Sequence, residues 1–149
     1  MLPPVIKTIT VPCPPQHAFD TFTNDIDTWW PKDKNSVSAM NGAVAQRVVM
    51  EPKTGGAIIE TDHTGTDLIW GSVTEFSPHS KLALAWHINL EPKDATFVEV
   101  TFEPSSTGTT VTLKHYGWEA FGDKAQDMHD GYNAGWVGVF ETAFANACS

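Results

Sequence analysis

The chain has 149 residues, a net charge of −9 from 18 acidic against 9 basic side chains, 41% hydrophobic and 18% charged residues. This is the composition of one soluble globular domain with enough apolar mass for a sizeable core, not of a disordered chain. The acidic balance argues against nucleic-acid binding and against anionic membranes, because both need basic surface to displace counterions.

Val5–Val11 (VIKTITV) alternates β-branched and polar residues and predicts a strand with one buried face. Pro12, Pro14 and Pro15 stop it, and Pro15 suits the first turn of a helix predicted over 16–29. Ala18, Phe19, Phe22, Ile26 and Trp29 or Trp30 form the apolar face of that helix, and Pro31 ends it. Residues 32–42 read as a polar loop with at most a turn of helix. Six further strands are predicted at 45–51, 57–63, 67–76, 81–90, 96–103 and 109–116, rich in Val, Ile, Thr and aromatics and separated by Gly- and Pro-containing turns. Connections this short favour an antiparallel meander. Residues 117–127 read as a loop or short helix, and 128–148 as a long amphipathic helix. Tyr132, Trp136, Val139, Phe140, Ala143 and Phe144 make its apolar stripe, with Asp127 or Asp130 as candidate caps. Gly131, Gly135 and Gly138 each weaken that helix by up to roughly 1 kcal/mol, so it needs tertiary packing. Small residues there would allow close approach to a sheet or leave room for a guest. The expected architecture is α+β: a curved antiparallel sheet of six or seven strands wrapped around the long C-terminal helix, all within one domain over 1–149.

The six tryptophans are many for this length, and an aromatic-lined pocket is the functional reading beside plain core packing. Tyr132 and Trp136 on the helix, with Trp86 and Trp118 from the sheet side, are the candidates. Period two places His115 inward with Val111 and Leu113, where it could bond a ligand or move a proton. The inward set of 57–63 stays open between Ile58 with Glu60 and the alternate residues; an inward Glu60 would be expensive unless paired, and so a functional hint. Along 81–90, Leu82, Leu84, Trp86, Ile88 and Leu90 share one face, which turns His87 outward. No HxxxH, CxxC, P-loop, GxGxxG or GxSxG pattern is present, so neither metal nor cofactor is expected. Cys13 and Cys148 are expected to be two reduced thiols. With no signal peptide and no apolar run of spanning length, the expected compartment is the cytoplasm and no membrane insertion is expected.

An ordered set of residues resembles a known family: Ala18–Phe19, Phe22–Thr23 and Trp29–Trp30–Pro31; Gly55–Gly56; Gly71, Val73, Glu75–Phe76, Pro78, Leu82 and Trp86; Val98, Val100 and Phe102; Gly108–Thr109, Val111, Leu113, His115 and Gly117–Trp118; then Gly131, Tyr132 and Gly135–Trp136. It is similar to the activators of the heat-shock chaperone ATPase in their bacterial single-domain form, within the START-like (SRPBCC) superfamily that also holds polyketide cyclases. The resemblance implies a helix-grip fold, and it leans the strand after Gly55–Gly56 toward Ile58 and Glu60 inward. The reading that follows is binding of a hydrophobic or aromatic small molecule between sheet and helix, by Glu60, Trp86, His115, Trp118, Tyr132, Trp136 and Phe140. A cyclase- or hydrolase-like enzyme using His115, Glu60 and Tyr116 is the alternative. The activator's additional N-terminal domain is not expected in this chain, which counts against a chaperone-activating role and leaves chaperone interaction as a third reading beside the enzyme. Ala134 and Val137 leave the second face of the helix partly apolar and a homodimer open.

Overall fold

The computed structural model describes residues 2–148. Seven strands form one antiparallel sheet: β1 (Val5–Val11), β2 (Arg47–Met50), β3 (Ala57–Thr61), β4 (Asp67–Ser77), β5 (Lys81–Trp86), β6 (Thr96–Ser105) and β7 (Gly108–Tyr116), in the order β1-β7-β6-β5-β4-β3-β2. Strands β2 to β7 are a meander, and β1 pairs along β7 from Val5↔His115 to Val11↔Thr109. Register shifts between Ile58 and Ile59 and between Val73 and Glu75 mark bulges, which bend the strands and curl the sheet. Gly71 lies between the two bulges. A Cβ there would sit 2.0 Å from the Ala85 carbonyl oxygen, so only glycine lets β4 and β5 pair this closely.

The first helical stretch is shorter than its periodicity suggests: α1 (Pro15–Phe22) stops, and α2 (Ile26–Trp29) restarts after Thr23–Asn24–Asp25. Thr23 donates its hydroxyl to the Phe19 carbonyl at 2.9 Å, and the Trp29 indole donates to the Thr21 carbonyl at 2.7 Å. Side-chain bonds of this kind compete with continued helix, so the break folds Trp29 and Trp30 back onto the core. One further turn, α3 (Val37–Met40), precedes β2.

Strand β5 also ends early, at Trp86. His87 to Leu90 then turn away, with Asn89 in the left-handed region at φ 59°. The period-two assignment of His87 to the surface is therefore wrong. His87 is buried, and its ring nitrogen lies 3.3 Å from the Leu90 carbonyl oxygen.

The C-terminal helix begins at α4 (Ala125–Trp136), continues as a π-helical run over Val137–Phe144 and ends in α5 (Ala145–Ala147). Lys124 stands at its start, and neither Asp127 nor Asp130 caps it. Asp127 lies in the first turn, and Asp130 accepts from Gln126. Trp136, Val139, Phe140 and Phe144 are buried along the inner face. The wider i→i+5 turns after Trp136 keep Phe140 and Phe144 together, stacked at 5.7 Å and 7°.

One buried chain of hydrogen bonds fastens this helix to the sheet. The Trp136 indole N–H donates to His115 Nδ1 at 3.0 Å. An indole can only donate, so Nδ1 accepts and the imidazole proton is on Nε2, directed at Thr96 Oγ1 2.7 Å away. The Thr96 hydroxyl in turn donates to the Trp86 carbonyl at 3.4 Å. Gly117, at φ 91°, ends β7 and returns the Trp118 ring over the imidazole, 4.4 Å between centroids.

Burial, with a smaller repulsion from His129, pushes His115 down to about 3 from 6.5. The unfolded chain therefore takes up a proton below about 6.5 that the folded chain refuses. This contribution to stability is whole above that pH and is lost toward about 3, at up to about 1.4 kcal/mol per pH unit. Urea unfolding between about pH 6 and 4.5 should show this slope, and His115→Gln should flatten it. The carboxylates held low act only below 3.8: Asp27, where the Val48 N–H and Lys32 outweigh desolvation, and Asp62, held by the Thr64 hydroxyl and the Thr66 N–H. The two cysteines, remote in sequence, are both free and buried; burial and the adjoining Cys13 thiol push Cys148 up to about 12. Native protein should therefore resist thiol-specific reagents at neutral pH, with two thiols labelled per chain only after unfolding.

Candidate functional site

Four indoles converge where the C-terminal helix meets the loop after α2 and the end of β5. Trp30 lies 5.2 Å from Trp70, 5.9 Å from Trp86 and 6.2 Å from Trp136, centroid to centroid. Trp86 is 5.7 Å from Trp70 and 6.0 Å from Trp136. Each N–H has its own acceptor on a different element: the Asn35 carbonyl for Trp30, Glu60 for Trp70, the Tyr132 hydroxyl for Trp86 and His115 for Trp136. A buried indole needs such a partner, and four separate partners fix four ring orientations.

Against this cluster opens a cavity of about 340 Å³. Trp30, Trp86, Trp136 and Val139 form its buried apolar side, and Met40, Ile88, Leu90 and Met128 extend it toward solvent. Its polar groups are Lys34, Asn35, Ser36, Asn89, Asp127 and Tyr132. Gly131 and Gly135 lie on the helix side. A Cβ on Gly131 would meet nothing within 4 Å, and one on Gly135 would touch only the Asn35 amide nitrogen at 4.0 Å. These glycines leave space; neither is needed for close approach to the sheet.

Of the seven sequence-derived site residues, Trp86, Tyr132 and Trp136 are on the cavity wall. Glu60 is not. It points inward from β3, fully buried, as the Gly55–Gly56 resemblance leans. There its carboxylate accepts from Val37 N (2.8 Å), Ser38 N (3.0 Å), Ser38 Oγ (2.7 Å) and Trp70 Nε1 (3.0 Å). This is the chemistry of an anion tied into a loop: four donors replace the water that burial removed. The knot holds the 30–40 segment, and hence the Trp30–Met40 wall, against the sheet.

His115 sits behind the wall with both ring nitrogens engaged. Trp118 faces a separate hollow with Leu2, Glu119, Gly122 and Ala125, and its indole nitrogen is buried without a hydrogen-bond partner among the described residues. Phe140 is packed in the core against Phe144. Tyr116 lies on the outer face of the sheet, beside Phe97 at 5.6 Å and under Lys114 at 5.1 Å. Glu60 and His115 share no partner, so the arrangement provides no acid–base dyad between them. Trp30, Asn35, Met40, Ile88 and Met128 are wall residues that sequence reasoning missed. The two glycines beside Tyr132 and Trp136 were the available signal for the open helix face. Among the described residues no three His, Cys, Asp or Glu side chains are grouped to hold a metal ion, and no helix is long and apolar enough to cross a membrane.

The architecture has many solved counterparts. Protein MLL2253 from Mesorhizobium loti superposes with a TM-score of 0.70 at 18% identity, over 97% of this chain and 95% of that chain. The anthrahydroquino-gamma-pyrone synthase Txn09, solved in complex with a ligand, gives 0.66 at 28% identity over 98% and 97%. Bacillus halodurans protein BH1534 gives 0.69 at 17% over 99% and 98%. No curated protein matches the chain. The family model described as "Activator of Hsp90 ATPase homolog 1-like protein" matches residues 12–144, from the turn after β1 into the π-helical run. With the curled seven-stranded sheet and the C-terminal helix already described, the chain belongs to this family and has the START-like (SRPBCC) fold.

Proposed function

We propose that the protein binds a planar, largely apolar aromatic small molecule in the cavity between the C-terminal helix, the 30–40 segment and the end of β5. The observation that carries this reading is the state of the wall indoles. Trp30, Trp86 and Trp136 already have acceptors for their N–H groups, so they offer a guest only ring surface. A wall of this kind favours flat π-systems through stacking and apolar burial over flexible polar molecules. The size, about 340 Å³, is at the small end of ligand pockets and suits a few fused rings. The relative at 28% identity is named as an anthrahydroquino-gamma-pyrone synthase, a name that describes a fused-ring aromatic. That agreement supports the class of guest.

The same name keeps a synthase- or cyclase-like activity as the second reading. Proton transfer in this cavity would draw on Tyr132, Lys34 or Asp127, the titratable groups on its wall, and not on Glu60 and His115.

Calorimetric titration with tricyclic aromatic carboxylates should show saturable one-to-one binding accompanied by quenching of tryptophan fluorescence. Gly131→Leu should abolish it, because the new side chain enters the cavity. Gly138→Ala, off the wall and with nothing within 4 Å of its new Cβ, should leave binding unchanged. Both should keep the fold, and Gly138→Ala should gain up to about 1 kcal/mol of stability. Absence of binding to the unmodified protein, or equal binding by Gly131→Leu, would reject the reading.

A further inference from the structure

Tyr132 is the polar group that the C-terminal helix places among the wall indoles. The Trp86 indole donates to its phenol oxygen at 3.2 Å. Indole nitrogen cannot accept, so this bond fixes the oxygen as acceptor and leaves the phenol proton to be donated elsewhere. Among the described residues that proton has no acceptor. The phenol also stays protonated: burial raises it above its ordinary value, against the opposing effect of the Trp86 bond. Donation from Trp86 into the oxygen polarises the O–H and strengthens it as a donor.

Of the other polar wall groups only Asn35 is comparable: its part-exposed side-chain amide makes no hydrogen bond among the described residues, so it is the rival donor that Tyr132→Phe must discriminate against. The rest differ in kind. Ser36 is engaged on both sides, donating to the Lys32 carbonyl and accepting from Ala39 N. Lys34, Asn89 and Asp127 are exposed to water and keep it whether or not the cavity is filled. Tyr132 is only part-exposed, with His115 at 4.6 Å and Trp118 at 5.7 Å packed against its ring. A guest lying on the indoles would displace water from its hydroxyl. A pure hydrocarbon would then leave a dry, polarised donor without a partner. A carbonyl oxygen on the ring edge would replace the lost water.

Resting on the function proposed above, we infer that the guest is a fused-ring aromatic ketone or quinone, and that Tyr132, held by Trp86, is the residue that selects it by donating a hydrogen bond to its carbonyl oxygen. Trp136 and Trp30 supply affinity common to every flat ring system. Tyr132 supplies the discrimination.

The test uses fluorenone and fluorene, each carrying the same solubilising carboxylate. The two differ only in whether the central ring bears a carbonyl oxygen or two hydrogens. The unmodified protein should bind the ketone roughly tenfold to a hundredfold more tightly, the range expected when a buried donor is left unpaired. Tyr132→Phe should bring the ratio close to one by weakening the ketone and not the hydrocarbon. Trp86→Phe, which keeps a ring but removes the N–H, should lower the ratio part of the way. The infrared carbonyl stretch of the bound ketone should move to lower frequency in the unmodified protein and lose that shift in Tyr132→Phe. Equal, saturable binding of both probes to the unmodified protein would overturn the ketone inference and leave the proposed function standing. Binding of neither probe would remove both. An unchanged ratio in a folded Tyr132→Phe protein would show that another group selects the carbonyl.

Discussion

The hydrogen bond from the Trp136 indole to His115 Nδ1 sets where the helix can stand on the sheet. A helix laid on a curled sheet by apolar contact alone could turn about its axis with little change in buried area. Each residue of turn would swing the Tyr132–Trp136 stripe by about 100°. A donor that fits one acceptor, on an imidazole whose other nitrogen is held by Thr96, removes that freedom. With the rotation fixed, Tyr132 comes within 3.2 Å of the Trp86 nitrogen and the glycine side of the helix faces the cavity. The imidazole can serve only while neutral, which is the form that complete burial enforces.

The opposite wall depends on a second buried polar group working by the same logic with the opposite charge preference. Glu60 gathers two backbone N–H groups, a hydroxyl and an indole N–H. Removing any one donor leaves a buried anion less satisfied, so such networks define one arrangement well but tolerate little change. Trp70, bonded to Glu60 and 5.7 Å from Trp86, joins the two networks through ring contact. Helix, loop and sheet are thereby held at fixed separation around a volume that apolar collapse would otherwise close. The cavity is a consequence of polar anchoring as much as of glycine.

Much of the fold is legible in the sequence because it is local and periodic. Alternation along 109–116 places Val111, Leu113 and His115 inward, and the short Gly- and Pro-containing turns imply the meander; both hold. Where the local signal fails, a remote partner decides. The period-two pattern of 81–90 runs on past Trp86, but the backbone of His87 donates to the Trp70 carbonyl and then leaves the sheet, which buries a residue that alternation put outside. The helical pattern of 16–29 is interrupted by side-chain bonds of Thr23 and Trp29 that no spacing rule contains. The wall formed by Trp30, Asn35 and Met40 belongs to a loop positioned by Glu60, more than twenty residues away in sequence. No periodicity carries that information.

The candidate site shows why buried polar residues mislead as functional signals. Glu60 and His115 attract attention in the sequence because a charge or an imidazole on an inward face is costly. The structure shows them inward and fully engaged: each polar atom has a protein partner, and nothing remains for a ligand. A group meant to meet a guest must instead keep unused bonding capacity beside an open volume. Tyr132 meets that condition, since its oxygen is occupied and its proton is not. Costly burial therefore identifies the scaffold of this cavity, and unsatisfied valence at its wall identifies the part that can recognise something. The two criteria select different residues here because the first group had to be satisfied internally for the second to be held in place.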